Sequence, residues 1–212
     1  MSAVSDPQRS DAAAAAPTQT TKVAEHHYPG TEVAPSPIVA ETLAELRLLF
    51  PLFPFVNTTS EPAQVLPYLW LGAAQHAKNI GIASRFTHII NCCEGDEGTA
   101  HYTVLKAKGI RCVGFHSEDS ANYPLLANHL DEVLAFIRTA RQQQGKVLLH
   151  CQAGVNRSGA LAIAVVVEET GTSLLEACRH VKAARGRVCT NVAFQTQLVQ
   201  QAIARDWAFK SN

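Results

Sequence analysis

The chain predicts an α/β domain built on a central, mostly parallel five-stranded sheet flanked by helices, with a disordered N-terminal tail ahead of it. Three observations lead there. Short apolar runs of strand length alternate with longer stretches of helical periodicity, the pattern of strands joined by helical crossovers. The run Val147-Leu148-Leu149 after Lys146 is apolar without polar alternation, as a strand covered on both faces must be. It passes through a tight loop into a second apolar run, Ala160 to Val167, which reads as a buried helix. With 212 residues, 47% of them hydrophobic, the chain can hold one well-packed domain and a tail.

Residues 1–36 scatter Pro, Ser, Thr and Gln around the alanine run Ala12 to Ala16, with no apolar periodicity, and are expected to be disordered. The alanine run is too short to hold a helix alone in water. Residues 37–61 read as an N-terminal extension. Val39, Leu43, Leu46 and Phe50 sit at helical spacing over 38–50, behind Ser36-Pro37 as cap and first-turn proline. The apolar strip Leu48 to Val56, broken by Pro51 and Pro54, is expected to pack against the folded domain; docking to another protein is the alternative. Residues 62–212 form the domain proper. Strands are expected at 64–66, 69–71, 87–91, 110–115 and 146–150, and helices near 80–84, 125–143, 158–169, 173–184 and 191–208.

Charge narrows the class of partner. Eighteen basic and eighteen acidic side chains leave no net charge, so nothing argues for nucleic acid or a membrane surface. The longest apolar stretches are too short to span a bilayer. Six cysteines lack the CxxC spacing of zinc sites and follow no secretory signal, which predicts a reducing cytoplasmic or nuclear setting and no metal. Oligomeric state has no signature in the sequence.

The chemistry concentrates in His150-Cys151-Gln152-Ala153-Gly154-Val155-Asn156-Arg157-Ser158-Gly159. A strand ends near His150, a tight loop follows and a helix begins near Ser158. A loop opening a helix aims several backbone N–H groups at one point, which suits an anion. The same field favours the thiolate of Cys151, the form a nucleophile needs. Arg157 can grip two oxygens of a phosphate with its planar fork. Hydrolysis also needs a proton for the leaving oxygen and a base for water. Glu118 and Asp119, on the loop after the strand at 110–115, are the candidates.

The run resembles the signature loop of the cysteine-based protein tyrosine phosphatases. Its form His-Cys-x-x-Gly-x-x-Arg-Ser is similar to the dual-specificity branch, of the small atypical type. The likeness extends over 62–207, through Leu66-Pro67-Tyr68-Leu69-Trp70-Leu71-Gly72, Thr87-His88-Ile89-Ile90-Asn91 and Asn191-Val192-Ala193-Phe194-Gln195-Thr196-Gln197-Leu198. The resemblance implies a protein tyrosine phosphatase-like fold and hydrolysis of phosphotyrosine and phosphoserine/threonine monoesters through a phosphocysteine, with no cofactor.

It implies Cys151 as nucleophile and Arg157 as clamp, with residues Gln152 to Asn156 cradling the phosphate. It selects Asp119, 32 positions before Cys151, as general acid and base, with Glu118 the fallback. Ser158 would donate to the departing sulfur, while His150 and Asn191 would support the loop. Thr190 stands where relatives carry a proline. Arg185 falls where some relatives touch a second phosphate, among the cations Arg179, Lys182 and Arg187. Cys93 falls where tensin-homologue lipid phosphatases hold a cysteine that pairs with the nucleophile under oxidation. The expected partner is a phosphoprotein substrate. The rival readings are an RNA 5′-triphosphatase, suggested by Asn156-Arg157, a phospholipid phosphatase, and a non-catalytic phosphoprotein-binding module.

Overall fold

The computed structural model describes residues 36–51, 60–93 and 100–210. Residues 1–35 of the expected tail and the part of the apolar strip beyond Pro51 lie outside them. The elements run α1 (Pro37–Leu49), β1 (Ala63–Leu66), β2 (Leu69–Ala73), α2 (Ala74–Lys78), α3 (Ile80–Ala83), β3 (His88–Asn91), α4 (Ala100–Ala107), β4 (Arg111–Gly114), α5 (Leu125–Gln142), β5 (Val147–Cys151), α6 (Arg157–Thr170), α7 (Leu174–Arg185) and α8 (Val192–Ala204). They build one five-stranded sheet in the order β1-β2-β5-β3-β4. Only β1 runs antiparallel to its neighbour; β2, β5, β3 and β4 are parallel.

Strand periodicity divides the core. Successive side chains point to opposite faces, so Val147 and Leu149 enter one cluster and Leu148 the other. Ile90 and Ile89 divide in the same way on β3. The larger cluster joins the sheet to α1, α5, α6, α7 and α8; the smaller packs Ala77, Ala83, Phe86, Tyr102 and Leu105 on the other face. All five residues of β5 are buried. The helix α6 is buried continuously from Ser158 to Val167, which explains why it is apolar on all sides. Gly171 ends it in the left-handed conformation, φ 67°, with its N–H bonded to Val167. Ser173 caps α7 through a capping box with Glu176.

The helix α1 lies against α7 and α8, burying Leu46 and Phe50 in the larger cluster. The Lys182 ammonium bonds the Leu49 carbonyl, and Arg179 meets Glu45 at 3.3 Å. These contacts use two of the cations of α7, Arg179 and Lys182, to hold α1.

Three elements depart from expectation. The helices α2 and α4 were not anticipated. The last helix stops at Ala204 rather than 208, because Asp206 turns the chain at φ 54° and the Trp207 N–H returns to the Ala202 carbonyl.

Candidate active site

The parallel order places the C-terminal end of β5 between β2 and β3, so Cys151 emerges at the centre of the sheet's carboxyl edge, where open α/β sheets bind ligands. Residues 152–156 then turn directly into α6. Every loop carbonyl accepts a bond from outside the turn. Gln152 O accepts from Ala74 N, Val155 O from Cys189 N and Asn156 O from Ala160 N. Arg185 supplies the other two, through Nε to Gly154 O at 3.1 Å and Nη2 to Ala153 O at 3.3 Å. With the carbonyls held outward, the peptide N–H groups face the centre of the loop and form an anion cradle at a helix N-terminus.

Gly154 makes this curvature possible. Its φ is +66°, and a Cβ there would lie 2.3 Å from the Gly72 carbonyl oxygen of β2. The loop thus rests backbone to backbone on the neighbouring strand.

Cys151 is 2% exposed, and Ser158, fully buried, donates its hydroxyl to Cys151 Sγ at 3.2 Å. The neighbouring Cys93 thiol is the largest influence holding the Cys151 thiol well below its ordinary range. Burial opposes this, while the Ser158 hydroxyl and the N–H groups of Ser158 and Val155 support it. The complementary effect raises the Cys93 thiol: its bond to Cys151 comes first, with burial second. The two thiols are pushed in opposite directions, which favours the thiolate at Cys151 rather than at Cys93.

His150 is also buried. Burial is the main cause that pushes its imidazole down to about 4. It is therefore neutral near pH 7, and its Nε2 shares a 2.8 Å hydrogen bond with the Tyr102 hydroxyl of α4. Any help it gives the thiolate comes through bracing the end of β5, not through an imidazolium charge.

Arg157 opens α6 and donates from Nη1 to the Ser117 carbonyl at 2.9 Å. Its Nε is buried and has no protein partner. Ser117 in turn donates its hydroxyl to the Cys92 carbonyl at the end of β3. The loop carrying the candidate acid is thereby pinned to the arginine.

Asp119 faces the phosphate loop. Its Oδ2 accepts from Asn156 Nδ2 at 3.0 Å and its Oδ1 from Asn191 Nδ2 at 2.9 Å. Among the described residues Glu118 has a local partner, accepting from the Ser120 hydroxyl at 3.4 Å. Tyr123 closes the segment, its hydroxyl lying 2.7 Å from both the His116 carbonyl and His129 Nε2. One hydroxyl proton cannot serve both, so His129 Nε2–H donates to the phenol oxygen while that oxygen donates to His116 O.

The structure thus gathers Cys151, Gln152 to Ser158, Asp119, His150, Asn191 and Cys93 at one edge of the sheet. Arg185 is the exception. Expected to touch a second phosphate, it is 4% exposed with its guanidinium turned onto the loop carbonyls. It is a brace beneath the cradle, not a surface contact beside it. Sequence reasoning missed Tyr102, Ser117 and the side-chain role of Asn156, which depend on partners 37 to 48 positions away. Among the described residues no group of three or more His, Cys, Asp or Glu is placed to hold a metal, and no helix is long and apolar enough to cross a membrane.

Comparison with known proteins agrees with this geometry. A family model described as dual specificity phosphatase, catalytic domain, matches residues 69–203. Dual specificity protein phosphatase 5 of Homo sapiens is 31% identical over 184 residues, covering 82% of this chain and 46% of the relative. Dual specificity protein phosphatase 2 of Mus musculus is 31% identical over 145 residues, covering 66% and 42%. The chain thus spans less than half the length of these relatives. Among solved structures, DUSP15 superposes with a TM-score of 0.61 at 27% identity, covering 69% of this chain and 90% of that one. Human DUSP28 gives 0.60 at 27%, covering 71% and 99%.

Proposed function

The chain belongs to the dual-specificity phosphatase family, and from that premise we propose that it hydrolyses phosphotyrosine and phosphoserine/threonine monoesters of proteins through a phosphocysteine. The observation that carries this reading is the pairing of a thiol held well below its ordinary range with an arginine Nε that is buried and unpartnered beside it. A buried donor without an acceptor is costly, and a phosphate oxygen would satisfy it. Residues 62–212 act as the catalytic domain, residues 37–61 as an extension of it and residues 1–36 as a tail.

In the first step the Cys151 thiolate attacks phosphorus and the bond to the leaving oxygen breaks, with Asp119 giving that oxygen its proton. The cradle N–H groups and Arg157 hold the three equatorial oxygens, supplying charge stabilisation without a cofactor. In the second step water attacks phosphorus, Asp119 takes its proton, and the S–P bond breaks with the electron pair returning to sulfur. The Ser158 hydroxyl, 3.2 Å from that sulfur, stabilises the thiolate as it leaves. Inorganic phosphate departs.

All six cysteines are free, which is compatible with a reducing cytoplasmic or nuclear setting, and the family membership supports a signalling role on phosphoproteins. Cys93 adds a redox response. Peroxide oxidises Cys151 to the sulfenic acid, and Cys93 attacks its sulfur to form a disulfide and release water.

Hydrolysis of p-nitrophenyl phosphate by wild type, Cys151→Ser and Asp119→Ala tests the chemistry, and phosphate release from phosphotyrosyl and phosphothreonyl peptides tests the substrate class. An active wild type with an inactive Cys151→Ser supports the reading. Equal rates in those two would sink it, and hydrolysis of an RNA 5′-triphosphate in preference to the peptides would overturn the substrate assignment.

A further inference from the structure

The carboxylate of Asp119 is gripped by two amides, and neither is free to turn round. Asn156 Oδ1 accepts from the Thr190 hydroxyl at 3.1 Å and from the Asn191 N–H at 3.0 Å, so its NH₂ end must face Asp119. Asn191 Oδ1 accepts from the Ala193 N–H at 3.0 Å as the N-cap of α8, so its NH₂ end also faces Asp119. Two backbone N–H groups therefore fix both amides.

The two tethers have different origins. Asn191 belongs to the segment entering α8, whereas Asn156 lies within the phosphate loop, directly before Arg157. Its side chain is the one direct link between the cradle and the carboxylate among the described hydrogen bonds. Thr190 is 4% exposed and supplies a hydroxyl that the proline expected at this position could not. Loop, hydroxyl, amide and carboxylate form one closed ring.

We propose that Asn156 is a positioning residue that ties Asp119 to the phosphate loop, so that the acid is aligned with the leaving oxygen in one step and with water in the next. This rests on the assignment of Asp119 as the acid. Asn156 need not touch the substrate with its side chain; it acts through the carboxylate. Each carboxylate oxygen gives one lone pair to an amide and keeps another for the proton in transit. Without the Asn156 tether Asp119 is held on one side only, and a displacement of about 1 Å can cost 10²-fold in rate.

Leaving-group dependence separates this role from simple loop bracing. A phenolate of low basicity departs without a proton, whereas phenolate itself needs one. The test compares phenyl phosphate with an aryl phosphate of a strongly acidic phenol in wild type, Asn156→Ala, Asp119→Ala and the double variant, with the inhibition constant of inorganic phosphate and the thermal midpoint alongside. Asn156→Ala is expected to lower kcat/KM, which reports the steps up to departure of the phenol, roughly 10- to 100-fold for phenyl phosphate while changing it less than about threefold for the activated ester. On the Asp119→Ala background the same change should have no further effect on phenyl phosphate, because its route of action is already gone.

Equal losses on both esters, adding in the double variant, would overturn the proposal and make Asn156 a brace of the loop alone. A leaving-group-independent loss in Asp119→Ala itself would remove the acid assignment, and the proposal with it. If Asn156→Ala unfolds below the assay temperature, Thr190→Val keeps the fold test separate: it removes one donor to Oδ1, and a leaving-group-selective loss is again required.

Discussion

Removing the Ser158 hydroxyl isolates one contribution to the second half of the reaction. In Ser158→Ala the only change beside the nucleophile is loss of a 3.2 Å hydrogen bond to Cys151 Sγ. Both residues are at most 2% exposed, so water cannot replace the donor. A hydrogen bond to a charged group contributes about 1.5–3 kcal/mol. In the step that returns negative charge to sulfur, this corresponds to roughly 10- to 100-fold in rate.

The attack on phosphorus suffers less, since a less stabilised thiolate is also a better nucleophile. Breakdown of the phosphocysteine should therefore become limiting. A rapid-mixing assay with p-nitrophenyl phosphate should show a burst approaching one equivalent of phenolate per enzyme, followed by a slow steady state. The same variant should alkylate more slowly with iodoacetate at acid pH, because Ser158 is one of the groups holding the thiol down; Cys93 remains the larger. An undiminished steady-state rate without a burst would refute the reasoning.

Three further outcomes follow from the same geometry. His150 has a folded-state value of about 4 against an ordinary 6.5, so between these the unfolded chain binds the extra proton. Its contribution is whole above pH 6.5 and is lost as pH falls toward 4, about 2 kcal/mol of it by pH 5. His88 and His129, also lowered by burial, add in the same sense. Urea unfolding at pH 7 and pH 5 measures this, and equal stabilities would contradict a neutral buried imidazole. Gly154→Ala combines a positive φ with a Cβ 2.3 Å from a backbone oxygen, so it should cost at least about 1–2 kcal/mol and weaken competitive inhibition by inorganic phosphate more than tenfold. An unchanged inhibition constant would show that the loop does not rest on β2. After peroxide treatment, dithiothreitol should restore wild type far more fully than Cys93→Ser; equal recovery would dismiss the disulfide.

The fold was legible where burial writes a continuous apolar run. The strand β5 and the helix α6 are covered on every side, so Val147 to Leu149 and Ala160 to Val167 needed little interpretation. The helix α2 has only five residues, too few to show a period. The helix α4 contributes only Tyr102 and Leu105 to the smaller cluster, and its Tyr-Thr-Val stretch has strand-like composition. Apolar Trp207 and Ala208 extended the last helix on paper, although the chain has already turned back at Asp206.

The site was legible to the extent that its chemistry is local. The proposed nucleophile, cradle, clamp and hydroxyl lie within eight consecutive positions, 151–158. The carboxylate's tethers bridge 37 and 72 positions, and no local pattern announces them. Arg185 was misread for a related reason. A cation closing a helix reads as exposed, whereas here Gly154 and Ala153 turn their carbonyls toward it and draw it inward.

The sheet order also separates the two chemical partners in time. Cys151 ends the central strand, whose amides should exchange with solvent only when the whole domain opens. Asp119 rides on residues 115–124, a stretch without regular structure in which Glu118, Ala121 and Asn122 are exposed; bonds at Ser117, Asp119 and Tyr123 hold it in place of a strand ladder, so it should open at lower cost than β5. On the roles proposed above, each such opening takes the acid and base away from both steps while the thiolate and its cradle stay in place. On those roles, fluctuation of one surface loop can interrupt turnover while the nucleophile's strand stays closed, and hydrogen exchange should reach residues 115–124 well before it reaches Cys151.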